Sequence, residues 1–276
     1  MNILYSGDAN ISDGLIISLL SVAKHSNEAL NVYILTVDAE INGRHYFPVS
    51  GEVANALDKY LKQKNRLSSV KLINITDLFL KELPTANLST RFTPCCMLRL
   101  FADLLPDIPS RILYLDNDVI CRQRITQLYC TDLTSIEFAA VPDYYGKWFF
   151  RRNILKKDYV NSGVLLLNMD EIRKSRLFEN CRRLCREKEM FMPDQSALNK
   201  TATAKKLLPN KFNEQRRLHN DTVLQHFTTS FRLFPFFHTV SVKPWNIDGM
   251  HNTLKLHEYD ELLAEYTVFK EKIYEQ

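Results

Sequence analysis

Glycine is scarce in this chain of 276 residues. Of its seven glycines none falls into a G-x-G-x-x-G or Walker A arrangement, so dinucleotide-binding and P-loop readings lose their main support. Any bound phosphate has to be neutralised by something other than a glycine-rich loop. Long apolar runs are missing too: nothing approaches the roughly 18–20 residues needed to cross a bilayer. The opening Met1-Asn2-Ile3-Leu4-Tyr5 has neither a basic n-region nor a long apolar h-region, which reads as no secretory signal. A net charge of only +4 lacks the footprint of a dedicated nucleic-acid binder. None of the six cysteines sits in a C-x-x-C, and the adjacent Cys95-Cys96 pair is a poor start for a disulfide framework or a zinc site. Reduced, mostly buried thiols in a cytoplasmic protein are the plain expectation. Repeats, low-complexity tracts and a clear linker are absent as well.

What is present is an ordinary globular balance, 45% hydrophobic and 25% charged, enough for a sizeable core. Asn2–Ser6, Asn31–Val37, Val70–Ile75 and Arg111–Leu115 read as short apolar strands. Between the first two, Ser12–Ser26 carries Leu15, Leu19 and Val22 with Ile16, Leu20 and Ala23 at helical spacing, and Ser12 or Asp13 is the expected N-cap. Val53–Gln63 and Met97–Leu105 are further expected helices. Strands alternating with helices imply βαβ units and a mainly parallel sheet covered on both faces. Downstream, Val160–Met169 and Thr222–Phe227 read as strands, Phe178–Glu189 as a basic amphipathic helix and Tyr259–Tyr274 as an amphipathic terminal helix. One compact domain is expected, its C-terminal third forming a subregion over the active face.

In open α/β sheets ligands bind at the carboxyl ends of the strands. Two of the expected strands end in polar clusters there: Ser6-Gly7-Asp8-Ala9-Asn10 and Asp116-Asn117-Asp118. The second follows the apolar Leu113-Tyr114-Leu115 and precedes Val119-Ile120. Carboxylates kept from water cost several kcal/mol unless paired or metal-bound. A divalent cation held by Asp116 and Asp118 meets that cost and supplies the missing phosphate neutralisation. Oxygen ligands select magnesium, manganese or calcium, and a histidine partner tilts the choice toward manganese. A capped turn with solvated carboxylates is the competing reading.

Ile112–Ile120, then Tyr159-Val160-Asn161-Ser162-Gly163-Val164-Leu165-Leu166-Leu167-Asn168-Met169, then Pro193-Asp194-Gln195-Ser196-Ala197-Leu198-Asn199, and finally Lys243-Pro244-Trp245 together resemble glycosyltransferase family 8. The ordered agreement spans Asn2 to Trp245. The resemblance implies a retaining enzyme of the GT-A fold: a single Rossmann-like nucleotide-binding domain over residues 1–250, its mostly parallel sheet flanked by helices, and a C-terminal helical extension over 251–276 packed on it. It implies Mn2+, with Mg2+ as the alternative, bridging the diphosphate of a UDP-sugar between Asp116 and Asp118, with a late histidine as third ligand. Asn117 would lie beside the donor ribose, Asp8 and Asn10 would contact the uridine, and Arg99 would reach toward the donor sugar and phosphate. Asn161, with Ser162 and Gly163 beside it, would face the donor sugar. Asp194 and Gln195 would touch that sugar and its anomeric centre, and Lys243 would bind the β-phosphate.

A metal and a lysine on the diphosphate oxygens stabilise charge as the sugar–phosphate bond breaks. Retention in hydrolases uses a carboxylate nucleophile; the corresponding side chain here is the amide of Gln195, a poor nucleophile. Front-side attack by the acceptor hydroxyl, the departing phosphate taking the proton, is the favoured route, with Asp194 as a transient nucleophile the runner-up.

The pattern departs from the family at its end. The histidine usually stands six residues before the lysine of K-P-W, whereas His226 precedes Lys243 by seventeen. The intervening Phe227–Val242 holds a second candidate, His238, but His226 follows the expected apolar strand and is the preferred ligand. The aromatic residues of that insertion (Phe227, Phe231, Phe234, Phe236, Phe237) suggest a packed hairpin or loop over the site, or else an acceptor platform. Tyr144–Arg152 mixes aromatic and basic residues that suit acceptor contact or a membrane surface. The arginines and lysines of Arg173–Lys188 read as a solvated face. The expected activity is hexose transfer from UDP-galactose or UDP-glucose to a lipopolysaccharide-type or other cell-surface glycan. The expected location is cytoplasmic, with peripheral contact at the inner membrane face, and no nucleic acid as partner. The alternatives are a metal-dependent nucleotidyltransferase or phosphohydrolase, for which D-x-D alone suffices, and a catalytically silent nucleotide-sugar binder.

Overall fold

Runs such as Ile3-Leu4-Tyr5 and Ile112-Leu113-Tyr114-Leu115 carry apolar side chains on both faces, so as strands they demand cover above and below. The computed structural model, which describes residues 1–90, 92–146, 158–232 and 238–274, supplies that cover. Its strands are β1 (Asn2–Ser6), β2 (Asn31–Thr36), β3 (Ala39–Ile41), β4 (Arg44–Tyr46), β5 (Ser69–Asn74), β6 (Arg111–Leu115), β7 (Val119–Cys121), β8 (Phe138–Pro142), β9 (Val160–Asn168), β10 (Lys205–Leu207), β11 (Leu224–His226), β12 (Ser230–Arg232) and β13 (His238–Val240). The helices are α1 (Ser12–Lys24), α2 (Gly51–Lys64), α3 (Thr76–Lys81), α4 (Thr126–Tyr129), α5 (Met169–Ser175), α6 (Leu177–Glu187), α7 (Pro193–Thr201), α8 (Ile247–Asn252) and α9 (Asp260–Tyr274).

Seven strands form the central sheet in the order β10-β8-β9-β6-β1-β2-β5. All pair in parallel except β9, which runs antiparallel to both β6 and β8. The period of two then assigns the faces. Ile3, Tyr5, Leu113, Leu115, Val164 and Leu166 point to one core, which α1, α2 and α9 cover. Leu4, Ile112, Tyr114, Leu165 and Leu167 point to the other, beneath Leu98, Phe101, Phe178 and Leu198. Among the described residues no helix is long and apolar enough to cross a membrane. The terminal helix α9 contributes Leu262, Leu263, Tyr266 and Ile273 to the first core, and its Lys270 Nζ lies 2.7 Å from Asp13 Oδ1 on α1.

Three local expectations need correction. Neither Ser12 nor Asp13 caps α1: a 3-10 turn, Ala9–Ile11, leads into it, capped by Asp8, whose carboxylate accepts from Asn10 N at 3.2 Å. Ser12 Oγ instead donates to Ala9 O at 2.7 Å. The expected helix Met97–Leu105 is a 3-10 helix, Pro94–Leu104, in which Arg99 Nε takes the Cys96 carbonyl at 3.1 Å. The segment after D-x-D is not a plain continuation of the sheet: β7 leaves it to pair antiparallel with β11.

The basic helix is the third. Arg182 on α6 is buried, donating to Glu82 Oε2 at 3.0 Å, to Asp103 and to Leu100 O. Arg173, likewise, caps backbone carbonyls at Asp103, Leu105 and Ile108. The positive charge there serves to satisfy a buried acid pair and free carbonyls as much as to face solvent. Of the insertion, β12 and β13 form an antiparallel hairpin, while Phe234, Phe236 and Phe237, like Lys147–Arg152 of the aromatic-basic stretch, lie outside the described residues.

Candidate active site

Because β9 runs against its neighbours, its first residues arrive at the edge where β6 and β8 end. That antiparallel pairing places Asn161-Ser162-Gly163 beside Asp116, and Gly163 O accepts the Asp116 amide at 2.8 Å. The chain turns back at once through Val119 N to Asp116 O, 3.2 Å, into β7, so both carboxylates sit on one short turn. Strand β11 pairs with β7 in the register His226 to Val119 and delivers its histidine to the same turn. Gly163 is obligatory for this approach: a Cβ there would lie 2.1 Å from His226 Cε1. Gly14, in the first turn of α1, makes room in the same way, since a Cβ would meet Asn117 O at 2.4 Å and the Trp245 ring at 2.6 Å.

His226 Nε2 lies 3.0 Å from Asp118 Oδ1 and 3.7 Å from Asp116 Oδ2. Asp116 Oδ1 is held from the other side by Arg99 Nη2 at 2.8 Å and by the Tyr114 hydroxyl at 2.7 Å. Burial pushes the Tyr114 phenol well above its usual value, so it stays a donor. Lys243 Nζ donates to Asp118 Oδ2 and, at 2.8 Å, to Phe227 O. Burial alone would raise the Asp118 carboxyl, but the Lys243 ammonium and His226 beside it outweigh burial and hold it well below the ordinary carboxylate range.

A directional hydrogen-bond chain fixes the imidazole. Asp143, buried at the end of β8, can only accept, and it takes Asn161 Nδ2 at 3.0 Å. Asn161 Oδ1 is thereby turned to accept Asn213 Nδ2 at 2.9 Å. Asn213 Oδ1 in turn faces His226 Nδ1 at 3.1 Å, so that nitrogen donates and the ring is held with Nε2 toward the carboxylates. Asp143 also receives Gln195 Nε2 at 3.2 Å and Gly146 N at 2.5 Å.

Asp194 and Gln195 occupy the first turn of α7, which begins at Pro193. Gln195 Oε1 accepts Ser162 N at 3.0 Å, and Asp194 Oδ2 accepts Ser162 Oγ at 3.2 Å with Arg99 Nε 3.3 Å away. Arg99 Nη1 closes the ring on Ser162 O at 2.6 Å.

These groups open on one cavity of about 260 Å³. It is lined by Arg99, Asp116, Asp118, Asn161, Ser162, Asp194, Gln195, His226 and Lys243, with Phe92, Tyr145, Phe191 and Met192 as its apolar walls. Asp8, Asn10 and Asn117 end strands at the same edge but do not line this cavity. Asp8 Oδ2 is taken by Asn10 Nδ2 at 2.9 Å, and Asn117 packs over Gly14. His238 stands on the hairpin, outside the Asp116–Asp118–His226 group, whose ligand atoms all lie within 4.8 Å of one another. Two residues of this network carry no sequence reading above, Asp143, which lines the cavity, and Asn213, buried behind His226. Asp143 carries the same signal as Asp116, a carboxylate straight after the apolar Phe138–Val141. Asn213 carries none.

A model of the family described as glycosyl transferase family 8 matches residues 2–249. Among curated proteins the chain is similar to a lipopolysaccharide 1,2-glucosyltransferase of Escherichia coli (strain K12), 27% identical over 94% of this chain and 76% of that one. It is also similar to a lipopolysaccharide 1,3-galactosyltransferase of Salmonella typhimurium (strain LT2), 25% identical over 91% of this chain and 74% of the other. Among solved structures it resembles the galactosyltransferase LgtC in complex with donor and acceptor sugar analogues, with a TM-score of 0.70, 19% identity, and 97% and 96% of the two chains covered.

Proposed function

The chain belongs to glycosyl transferase family 8 and is a glycosyltransferase of α/β architecture; from that premise we propose that it transfers a hexose from UDP-glucose or UDP-galactose, with retention, to a lipopolysaccharide-type or other cell-surface glycan. The observation that carries the proposal is the convergence of Asp116, Asp118 and His226 beside Lys243 and Arg99 at the mouth of one cavity. Relatives named for glucose and for galactose transfer supply the two donor sugars.

The donor set suits a divalent cation. Two carboxylates and one imidazole meet at a point, and the hydrogen bond from Nδ1 to Asn213 keeps Nε2 available. Oxygen-rich ligation with one nitrogen favours Mn2+, with Mg2+ second. Such an ion supplies charge neutralisation to a diphosphate as it leaves. The chain's own residues do the rest. Lys243 and Arg99 add fixed positive charge at the same mouth, where water is partly excluded and each charge acts more strongly. Asn161, Ser162 and Gln195 are locked by their mutual hydrogen bonds and present a rigid polar wall to a sugar. Asp194 is already engaged by Arg99 and Ser162, and the Gln195 amide is held at both ends. Neither is free to act as nucleophile, which supports attack by the acceptor hydroxyl on the face the diphosphate leaves, the departing phosphate accepting the proton.

Thermal melting with UDP alone, Mn2+ alone and both together tests this reading. A ligand at about a hundred times its dissociation constant adds roughly 2.7 kcal/mol, a rise of a few degrees for a chain of this size. A large shift only with both is expected, followed by turnover with a UDP-hexose. No shift in any combination overturns the donor assignment.

A further inference from the structure

Outside the residues that line the catalytic cavity, α8 turns into α9 through Thr253–Tyr259, and this corner brings two histidines and an aspartate to one point. His251 Nε2 lies 2.6 Å from Asp260 Oδ1, and His257 Nδ1 lies 3.2 Å from Asp260 Oδ2. The two imidazoles stack with centroids 4.4 Å apart and an interplanar angle of 22°. All three ligand atoms fall within 4.8 Å of one another.

The corner is built by the backbone rather than by these side chains. Thr253 N and Leu254 N both donate to Gly249 O, at 3.0 and 3.1 Å, and Leu256 N donates to Met250 O at 3.0 Å. Lys255 takes the left-handed conformation, φ 55°, that reverses the chain. Buried Met250 and Tyr259 anchor the two ends in the core. The three groups are therefore preassembled, and they stay accessible, with side-chain exposures of 32% for His251, 63% for His257 and 49% for Asp260.

We propose that His251, His257 and Asp260 form a second metal site, selective for a zinc-class divalent ion. Two imidazoles and one carboxylate are the ligand set of Zn2+, Ni2+, Co2+ and Cu2+, whereas Mg2+ and Ca2+ require mostly oxygen. A tetrahedral centre with bonds of about 2.0–2.2 Å needs ligand atoms roughly 3.3 Å apart, so the two close contacts open by less than an ångström while the exposed His257 ring rotates out of the stack to aim its nitrogen at the ion. On binding, the proton of each neutral histidine moves to its other ring nitrogen, and water takes the fourth position. The ion ties α8, which follows Lys243-Pro244-Trp245 directly, to α9, which packs on α1. The site thereby braces the segment that seats Trp245 against Gly14 and Asn117.

Zinc stoichiometry and zinc-dependent melting of the whole chain and of a His251→Ala/His257→Ala variant test this, with His257→Gln as a second variant. The difference between proteins is the readout, so zinc held at Asp116–Asp118–His226 or by exposed Cys130 cancels. The unaltered chain is expected to retain about one more zinc than the double variant and to gain more in melting temperature. Asp260→Asn is expected to bind zinc about tenfold more weakly, and Co2+ is expected to give visible bands that require the histidines. Equal stoichiometry and equal zinc-dependent melting in all proteins overturn the site and leave an ion-pair cluster only.

Discussion

Two clusters of paired charge behave in opposite ways. Around Arg182, one guanidinium meets Glu82, Asp103 and a backbone carbonyl, and Arg186 Nη1 adds a second contact to Glu82 at 2.7 Å. Its charges are matched, two guanidinium groups to two carboxylates. Around Asp116 and Asp118, acids are likewise paired with Arg99, Lys243 and His226, yet the pairs open on a cavity and the imidazole is held with Nε2 toward both carboxylates. Closure makes the first cluster a fastening; incompleteness makes the second a receptor for charge. Counting charges would not separate them. The direction of each hydrogen bond does.

The largest effect should come from opening the second cluster further. Asp118→Asn is expected to lower UDP-hexose turnover at least about a thousandfold, while leaving the melting temperature within a few degrees. Unchanged turnover would remove Asp118 from the metal and make the two clusters alike. Arg182→Met attacks the other cluster, leaving Asp103 without its partner and Glu82 with Arg186 alone. Unfolding in urea should show a loss of about 3–5 kcal/mol, with turnover per folded molecule retained. A loss of turnover at full stability would tie the two clusters together functionally.

Asn213→Ala is milder and more discriminating, since it frees the imidazole without touching any carboxylate. Metal affinity measured by calorimetry should fall about 10- to 100-fold at nearly constant stability. The smallest effect concerns pH. Asp118 and Glu82 are both depressed against their burial, the first by Lys243 and His226, the second by Arg182 and Arg186. A depressed carboxylate contributes stability that is complete above its unfolded value, about 4, and is lost as pH falls toward the folded one. Melting temperature should therefore drop on acidification below about pH 4, with a shallower drop in Asp118→Asn.

Much of this molecule could be read without coordinates. The strands at Asn2, Asn31, Ser69, Arg111 and Val160 announce themselves by apolar runs, and α1, α2 and α9 by their spacing. Asp116 and Asp118 stand out because charge at the end of such a run is costly. The helix bearing Asp194 and Gln195 did not stand out, because a short segment opening with proline and mixing polar and small residues has no strong period. Arg182 looked like one charge among many on a basic helix, since nothing nearby in the chain shows that Glu82 and Asp103 fold beneath it.

The chain by itself determined which segments become strands and helices, and that carboxylates would stand at strand ends. Alternation, helical spacing and the cost of a buried charge act between neighbours a few residues apart. The tertiary structure alone brought His226, which the apolar strand before it had favoured over His238, to the carboxylates, and paired Lys243, 125 residues from Asp118, with that acid. It also decided that a chain from Asp143 through Asn161 and Asn213 orients the imidazole. Those choices depend on β9 running antiparallel and on β7 turning away from the central sheet to pair with β11. A hydrogen bond is specified by the position of both partners, and only the closed fold sets positions for residues so far apart in the chain.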